Sequence, residues 1–192
     1  TAAFSLPVAL SAASGQAVTV QYAVSGGSAT RGADFLLASG TLTFAARKTT
    51  NTFPLKIVND KLNEANETIV VSLTSASQAV LGNNTTFTYT ITDDDAKPTV
   101  AFKLATASGR EAVTQPQIVA VLSAASGQAV TVDAVLTGTA SGSGVDYAIT
   151  SGPLTFAPGQ TQLTLPLTVL DDNLIESAET IQISLANPLN AT

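Results

Sequence analysis

The chemistry open to this chain lies in its carboxylates. Of 14 acidic residues, 12 fall in a few recurring places. Asp93, Asp94 and Asp95 are consecutive in TITDDDAKP, although only 11% of the residues are charged. Like charges side by side repel, so such a run either faces water or is compensated. VNDKLNEANET adds Asp60, Glu64 and Glu67, and LDDNLIESAET adds Asp171, Asp172, Glu176 and Glu179. Asp34 and Asp146 each precede an aromatic, in GADF and GVDY. Only Glu111 and Asp133 stand outside these groups. The sequences around the acidic segments read as strands, so the segments are expected to be loops running into strands and able to turn several oxygens inward.

Histidine, cysteine and methionine are absent, which removes imidazole bases, thiolates, disulfides and soft-metal sites. What is left is a set of hard oxygen ligands. Such a set suits Ca²⁺, which accepts six to eight carboxylate, carbonyl and water oxygens in flexible geometry, better than Mg²⁺. The plainer alternative is that the acids solubilise an apolar chain and form turns. Enzymatic activity is not expected: no histidine activates a serine, no GxSxG elbow is present, and the few aromatics offer no sugar platform for a carboxylate pair. A net charge of -6 and a pI near 4.3 argue against nucleic acid as a partner. No apolar run approaches a membrane span, so a soluble segment without membrane insertion is expected. The missing initiator methionine suggests a processed chain or a fragment, and the lack of cysteine fits a bacterial exported protein that does not rely on disulfides, although a cytosolic protein could show the same count.

The elements that must position these acids come in two copies. SAASGQAVTV occurs at Ser11 to Val20 and again at Ser123 to Val132, an offset of 112. Extended without a gap, that register pairs Asp34 with Asp146, Leu42-Thr43-Phe44 with Leu154-Thr155-Phe156, and Glu64 with Glu176. The period is that of a whole domain. Short β-rich runs are expected at Phe4 to Leu10, Ala17 to Val24, Leu42 to Phe44, Thr52 to Val58, Thr68 to Leu73 and Phe87 to Ile91. The second copy repeats them and adds Val100 to Leu104. The expected fold is all-β: tandem antiparallel β-sandwiches with immunoglobulin-like Greek-key topology. Residues 1–95 form a module lacking its first strand, and 96–192 a module lacking its last. Thr86, Thr88, Thr90 and Thr92 read as an exposed strand face, and the glycine runs near Gly26 and Gly142 as turns.

The sequence resembles the Calx-beta family. Gly138 to Tyr147, GTASGSGVDY, is similar to that family's G-T-A-x-x-G-x-D-Y turn with one extra residue or a shifted glycine, and Gly152 to Gly159, GPLTFAPG, to its G-x-L-x-F-x-x-G stretch. Residues 27–35 and 40–44 carry a looser version. Asp171-Asp172 with Glu176 and Glu179 resemble the family's acidic segment, and Ile91 to Asp95 its closing strand end. The resemblance implies a Ca²⁺ cluster at one pole, held in the first module by Asp34, Asp60, Glu64, Glu67, Asp93, Asp94 and Asp95. In the second it implies Asp146, Asp171, Asp172, Glu176 and Glu179, without a terminal triad. The sequence departs from the family pattern in three places: Asn59 replaces an expected aspartate, Lys61 adds a positive charge, and Ala107-Ser108-Gly109 lacks a first-strand glutamate, whether or not Glu111 compensates for it.

The expectation is a non-enzymatic extracellular structural and interaction module, part of a large bacterial surface or adhesin-like protein. Calcium would stiffen the joint between its modules. Its partners would be neighbouring modules or chains and an unknown surface ligand. The alternative is a filament or sheath subunit assembled by strand exchange, motivated by the matching terminal-strand deficits.

Overall fold

The computed structural model describes residues 2–150, 152–173 and 175–192. Among them there is no helix, hence none long and apolar enough to cross a membrane. The chain divides into two compact units: Thr1–Lys61 with Ala65–Asp93, and Leu62–Glu64 with Asp94–Thr192.

The first unit contains β1 (Ala2–Ala9), β2 (Val18–Gly27), β3 (Phe35–Leu36), β4 (Gly40–Phe44), β5 (Thr50–Ile57), β6 (Glu67–Ser77) and β7 (Thr86–Ile91). They form two antiparallel sheets, ordered β1-β5-β3 and β4-β2-β6-β7, whose non-consecutive neighbours make the expected sandwich of crossed connections. Alternation decides the inner faces. Val18, Val20, Leu42, Phe44, Ile69 and Val71 of one sheet are buried with Leu6, Val8, Phe35, Phe53 and Leu55 of the other. Tyr22 stacks on Phe53 at 4.0 Å between ring centroids, and Phe4 packs against Phe87 and Tyr89. The alternating threonines at 86, 88 and 90 face solvent, as expected.

The second unit holds β8 (Val100–Phe102), β9 (Val119–Leu122), β10 (Val130–Gly138), β11 (Tyr147–Ile149), β12 (Leu154–Phe156), β13 (Gln162–Thr164), β14 (Leu167–Val169) and β15 (Ile181–Leu189). Its sheets are β12-β10-β15, β13-β9-β8 and β11-β14. The core is leaner: Ala120, Leu122, Val130, Val132, Leu154, Phe156 and Leu165 are buried together. Where β5 runs unbroken, its counterpart is split into β13 and β14, and Leu167 N turns back to Leu165 O. Pro116, standing where Phe4 lies in the first unit, has no N–H for a ladder, so pairing beside it is lost.

The repeat is not gapless in three dimensions. In β2 the pairing with β6 shifts between Val24 and Gly26, leaving Ser25 as an inserted bulge residue. The β10–β15 ladder has no shift there and runs evenly from Asp133 to Gly138. Gly27 therefore corresponds to Gly138, an offset of 111, while Asp34 still corresponds to Asp146. The second unit regains the residue in its loop: Asp34 N reaches Thr30 O, four residues back, whereas Asp146 N reaches Ser141 O, five back. The extra residue seen in GTASGSGVDY is this one.

Gly27 and Gly138 close the equivalent corner in each unit. Both have positive φ (117° and 130°), and a Cβ on either would lie 2.1 Å from the carbonyl oxygen of Thr68 or Thr180. Replacing either glycine by alanine should cost at least about 1–3 kcal/mol from backbone strain alone, before the clash is counted. Gly82→Ala, with open space and no positive φ, should be within about 0.5 kcal/mol of the parent. Urea unfolding of the three variants measures both effects.

Candidate metal centre

The aspartate before each aromatic has a structural task first. Its Oδ2 accepts a hydrogen bond from a loop amide, Thr30 N to Asp34 and Ser141 N to Asp146, both at 2.5 Å. Its carbonyl accepts from the far end of the neighbouring strand, Val58 N to Asp34 O and Leu170 N to Asp146 O, both at 2.9 Å. The side chain is thus held half-buried at the foot of β3 or β11, beside the start of the acidic loop. A carboxylate oxygen has more than one acceptor site, so the loop amide does not exhaust Asp34 or Asp146 as ligands.

In the first half of the chain, Asp34, Glu64 and Glu67 come together: each offers a carboxylate oxygen, and all three lie within 4.8 Å of one another. Each is half-buried. Ca–O distances of about 2.3–2.6 Å place two oxygens on one ion up to about 5 Å apart, so the spacing fits a shared Ca²⁺. Asp60, Asp93, Asp94 and Asp95 are not part of this trio. Asp60 lies exposed after β5. Asp93 is tied by its amide to Asn66 Oδ1 at 3.0 Å, which brings the exit of β7 to the entry of β6. Asp94 is exposed, and the Asp95 carbonyl accepts from Asn63 Nδ2 at 3.1 Å. Asn59 and Lys61, the departures noted in this loop, are exposed.

The corresponding residues of the second unit are Asp146, Glu176 and Glu179. The Glu179 side chain meets that of Asp146 in a hydrogen bond that favours the protonated form of Glu179. Lost hydration raises the Glu179 pKa first, followed by this bond and the charges of Asp146, Glu176 and Glu111. Glu176 is raised likewise, by lost hydration and then by Asp172, Asp146 and Glu111. Asp171 sits exposed just after β14. Glu111, left outside the recurring groups in the sequence, acts on both glutamates and belongs to this electrostatic cluster. Its nearness to Gly109, where a first-strand glutamate was missing, was the available signal.

No second kind of chemistry competes at these loops. Tyr22 and Tyr89 pack against the core, and Tyr147 lays its ring over Gly142 in the Asp146 turn. Without histidine or cysteine, nothing in the donor set favours a metal other than a hard cation.

Comparison with known proteins identifies the family. The Calx-beta domain model matches residues 1–95 and 93–192. Human sodium/calcium exchanger 3 is 27% identical over 191 residues, covering 88% of this chain and 21% of the exchanger. Sodium/calcium exchanger 1 of Canis lupus familiaris is 26% identical over 190 residues, covering 89% and 20%. The chain thus spans about a fifth of the length of these curated relatives. Among solved structures, that of CBD12 from CALX1.2 aligns with 97% of this chain and 74% of its own, at 21% identity and a TM-score of 0.47. The apo-form Calx CBD1 domain aligns with 48% and 83%, at 26% identity and a TM-score of 0.45. With a family match to each half and corresponding strands in each unit, the chain belongs to the Calx-beta domain family, as a tandem pair of non-catalytic modules, and calcium is the ligand that this family identity supports.

Proposed function

We propose that Asp34, Glu64 and Glu67 form the centre of the first module's Ca²⁺ site, with Asp60, Asp93, Asp94 and Asp95 as further ligands or as neighbours the ion neutralises. The supporting observation is the trio of carboxylate oxygens within 4.8 Å of one another. In the second module, Asp146, Glu176 and Glu179, with Asp171 and Asp172 beside them, take the same role, and Glu111 joins them. Bound Ca²⁺ supplies the charge that lets these carboxylates stay together, and by doing so it stiffens the linker from Asp93 to Lys97. The protein then works as a calcium-rigidified structural module, with residues 1–95 lacking a first strand and 96–192 a last.

The wider setting we infer is an extracellular segment of a larger, adhesin-like surface protein of bacterial type, contacting neighbouring modules and a surface ligand. An acidic, cysteine-free, hydroxyl-rich chain supports that reading. A filament assembled by strand exchange is the second reading. It draws support from β1 and β15, which each lie at a sheet edge, whereas their counterparts β9 and β6 have partners on both sides.

Calorimetric titration of the chelator-stripped chain tests the ligand set. Ca²⁺ should give saturable heat and Mg²⁺ little. Asp34→Asn with Glu67→Gln should weaken binding at the first module by tenfold or more, and leave the far-UV spectrum unchanged. Unaltered binding in that double variant would remove the trio from the site.

Without calcium, acidity should steady the second module. Glu176 and Glu179 hold protons more tightly when folded than at their ordinary value of 4.5, so the native state binds more protons between 4.5 and the raised value. Unfolding free energy therefore falls as pH rises through that window, and the cost is fully present above it. Thermal unfolding in chelator should show this decline, and Glu176→Gln with Glu179→Gln should flatten it.

A further inference from the structure

The ten-residue repeat SAASGQAVTV folds the same way in both places but is covered in only one. In the second unit, Asn63 and Ser126 form a parallel β-bridge. The Asn63 carbonyl accepts from Ser126 Oγ and from Gly127 N, both at 3.1 Å. The Glu64 side chain lies over Gly127 so closely that a Cβ there would be 2.5 Å from Glu64 Oε1. Ser126 is accordingly 2% exposed.

The first copy of this loop has the same internal order. Gln16 N donates to Ser14 Oγ at 3.1 Å as Gln128 N does to Ser126 Oγ at 3.0 Å. Arg47 N donates to Ser14 O, and Gly159 N to Ser126 O, both at 2.8 Å. Ser14 Oγ retains the proton that Ser126 Oγ gives to a carbonyl. Yet Gly15 is exposed, with nothing within 4 Å of the place its Cβ would take. It is a seat preorganised for an extended segment: a hydroxyl and an amide for one carbonyl, and a bare glycine for the next side chain.

The complementary segment is exposed on the same chain. By the repeat register, Asn63-Glu64 corresponds to Ile175-Glu176. Ile175 is fully solvent-exposed, the most exposed large hydrophobic in the described residues, and Glu176 is exposed beside it. The seat takes the backbone carbonyl of Asn63, which isoleucine supplies equally. The Asn63 amide also donates to Asp95 O, a bond isoleucine neither makes nor needs. Burying Ile175 in the position that leaves Asn63 6% exposed adds a hydrophobic gain.

We propose that Ile175-Glu176 of one copy of this chain docks on the Ser14-Gly15 loop of a second copy, joining chains head to tail. The contact is heterologous and does not close on itself, so it builds linear oligomers. With each copy at a net charge of -6, salt should strengthen it by screening repulsion.

Sedimentation velocity of the full chain, from micromolar to millimolar concentration, reads the association. It should be run in 0.05 M and 0.5 M NaCl, each with calcium and with chelator. The parent should sediment faster as concentration and salt rise. Gly15→Leu blocks the seat where there is room for a side chain, and Ile175→Asp removes the knob from an exposed loop. Both should remain monomeric and melt at the parent's temperature. Mixed together, each variant has one intact half, so the mixture should form dimers and stop there. A parent that stays monomeric throughout, or variants that associate as the parent does, would overturn the proposal. The second result would point instead to strand exchange at β1 and β15.

Discussion

Repulsion among gathered carboxylates is the constraint on which the rest of this molecule depends. Two unit charges 4.8 Å apart oppose each other by about 3.5 kcal/mol at an effective dielectric constant near 20, a sizeable share of a small domain's stability. Nothing in a β-sandwich core needs Asp34, Glu64 and Glu67 to meet, yet the fold holds them together. Strand ladders fix the β2 corner glycine and the first residue of β6, and a loop amide binds the Asp34 side chain. In the second unit, lost hydration and the nearby charge of Asp146 both raise the pKa of Glu176 and Glu179. A proton and a divalent cation are alternative answers to one electrostatic difficulty.

Two copies of one plan have diverged where packing allowed. The first unit has Phe4, Tyr22 and Phe53 between its sheets, and a continuous β5. The second has Pro116, Ala134 and Leu165 at those places and a broken strand. Less aromatic surface is buried there. The bulge at Ser25 and the longer turn ending at Asp146 cancel in length, so the aspartate before the aromatic returns to register.

Much of this was legible from residue order. Period-two alternation in VTVQY and TLTF predicts the buried faces, and Val18, Val20, Leu42 and Phe44 take them. Identical motifs disclosed the tandem plan, and the oxygen-only inventory pointed to a hard cation. What stayed hidden depended on pairing between distant strands. The two-residue β3 is too short to show a period, and the Ser25 bulge is invisible to an alignment that balances its gain and loss. The role of Glu111 stayed open in the sequence because its neighbours Glu176 and Glu179 arrive from far along the chain. Nor does sequence say that one SAASG loop is covered while its twin is open, since the two are letter-for-letter the same.

The central claim is that an ion, rather than general screening, relieves the carboxylates. Thermal unfolding of the chelator-stripped chain at fixed ionic strength, exchanging NaCl for CaCl₂, isolates that difference. Specific binding at 100 times the dissociation constant stabilises by about 2.7 kcal/mol, so the melting temperature should rise by several degrees and continue to rise only logarithmically. A melting temperature that depends on ionic strength alone, with calcium and sodium interchangeable, would contradict the account.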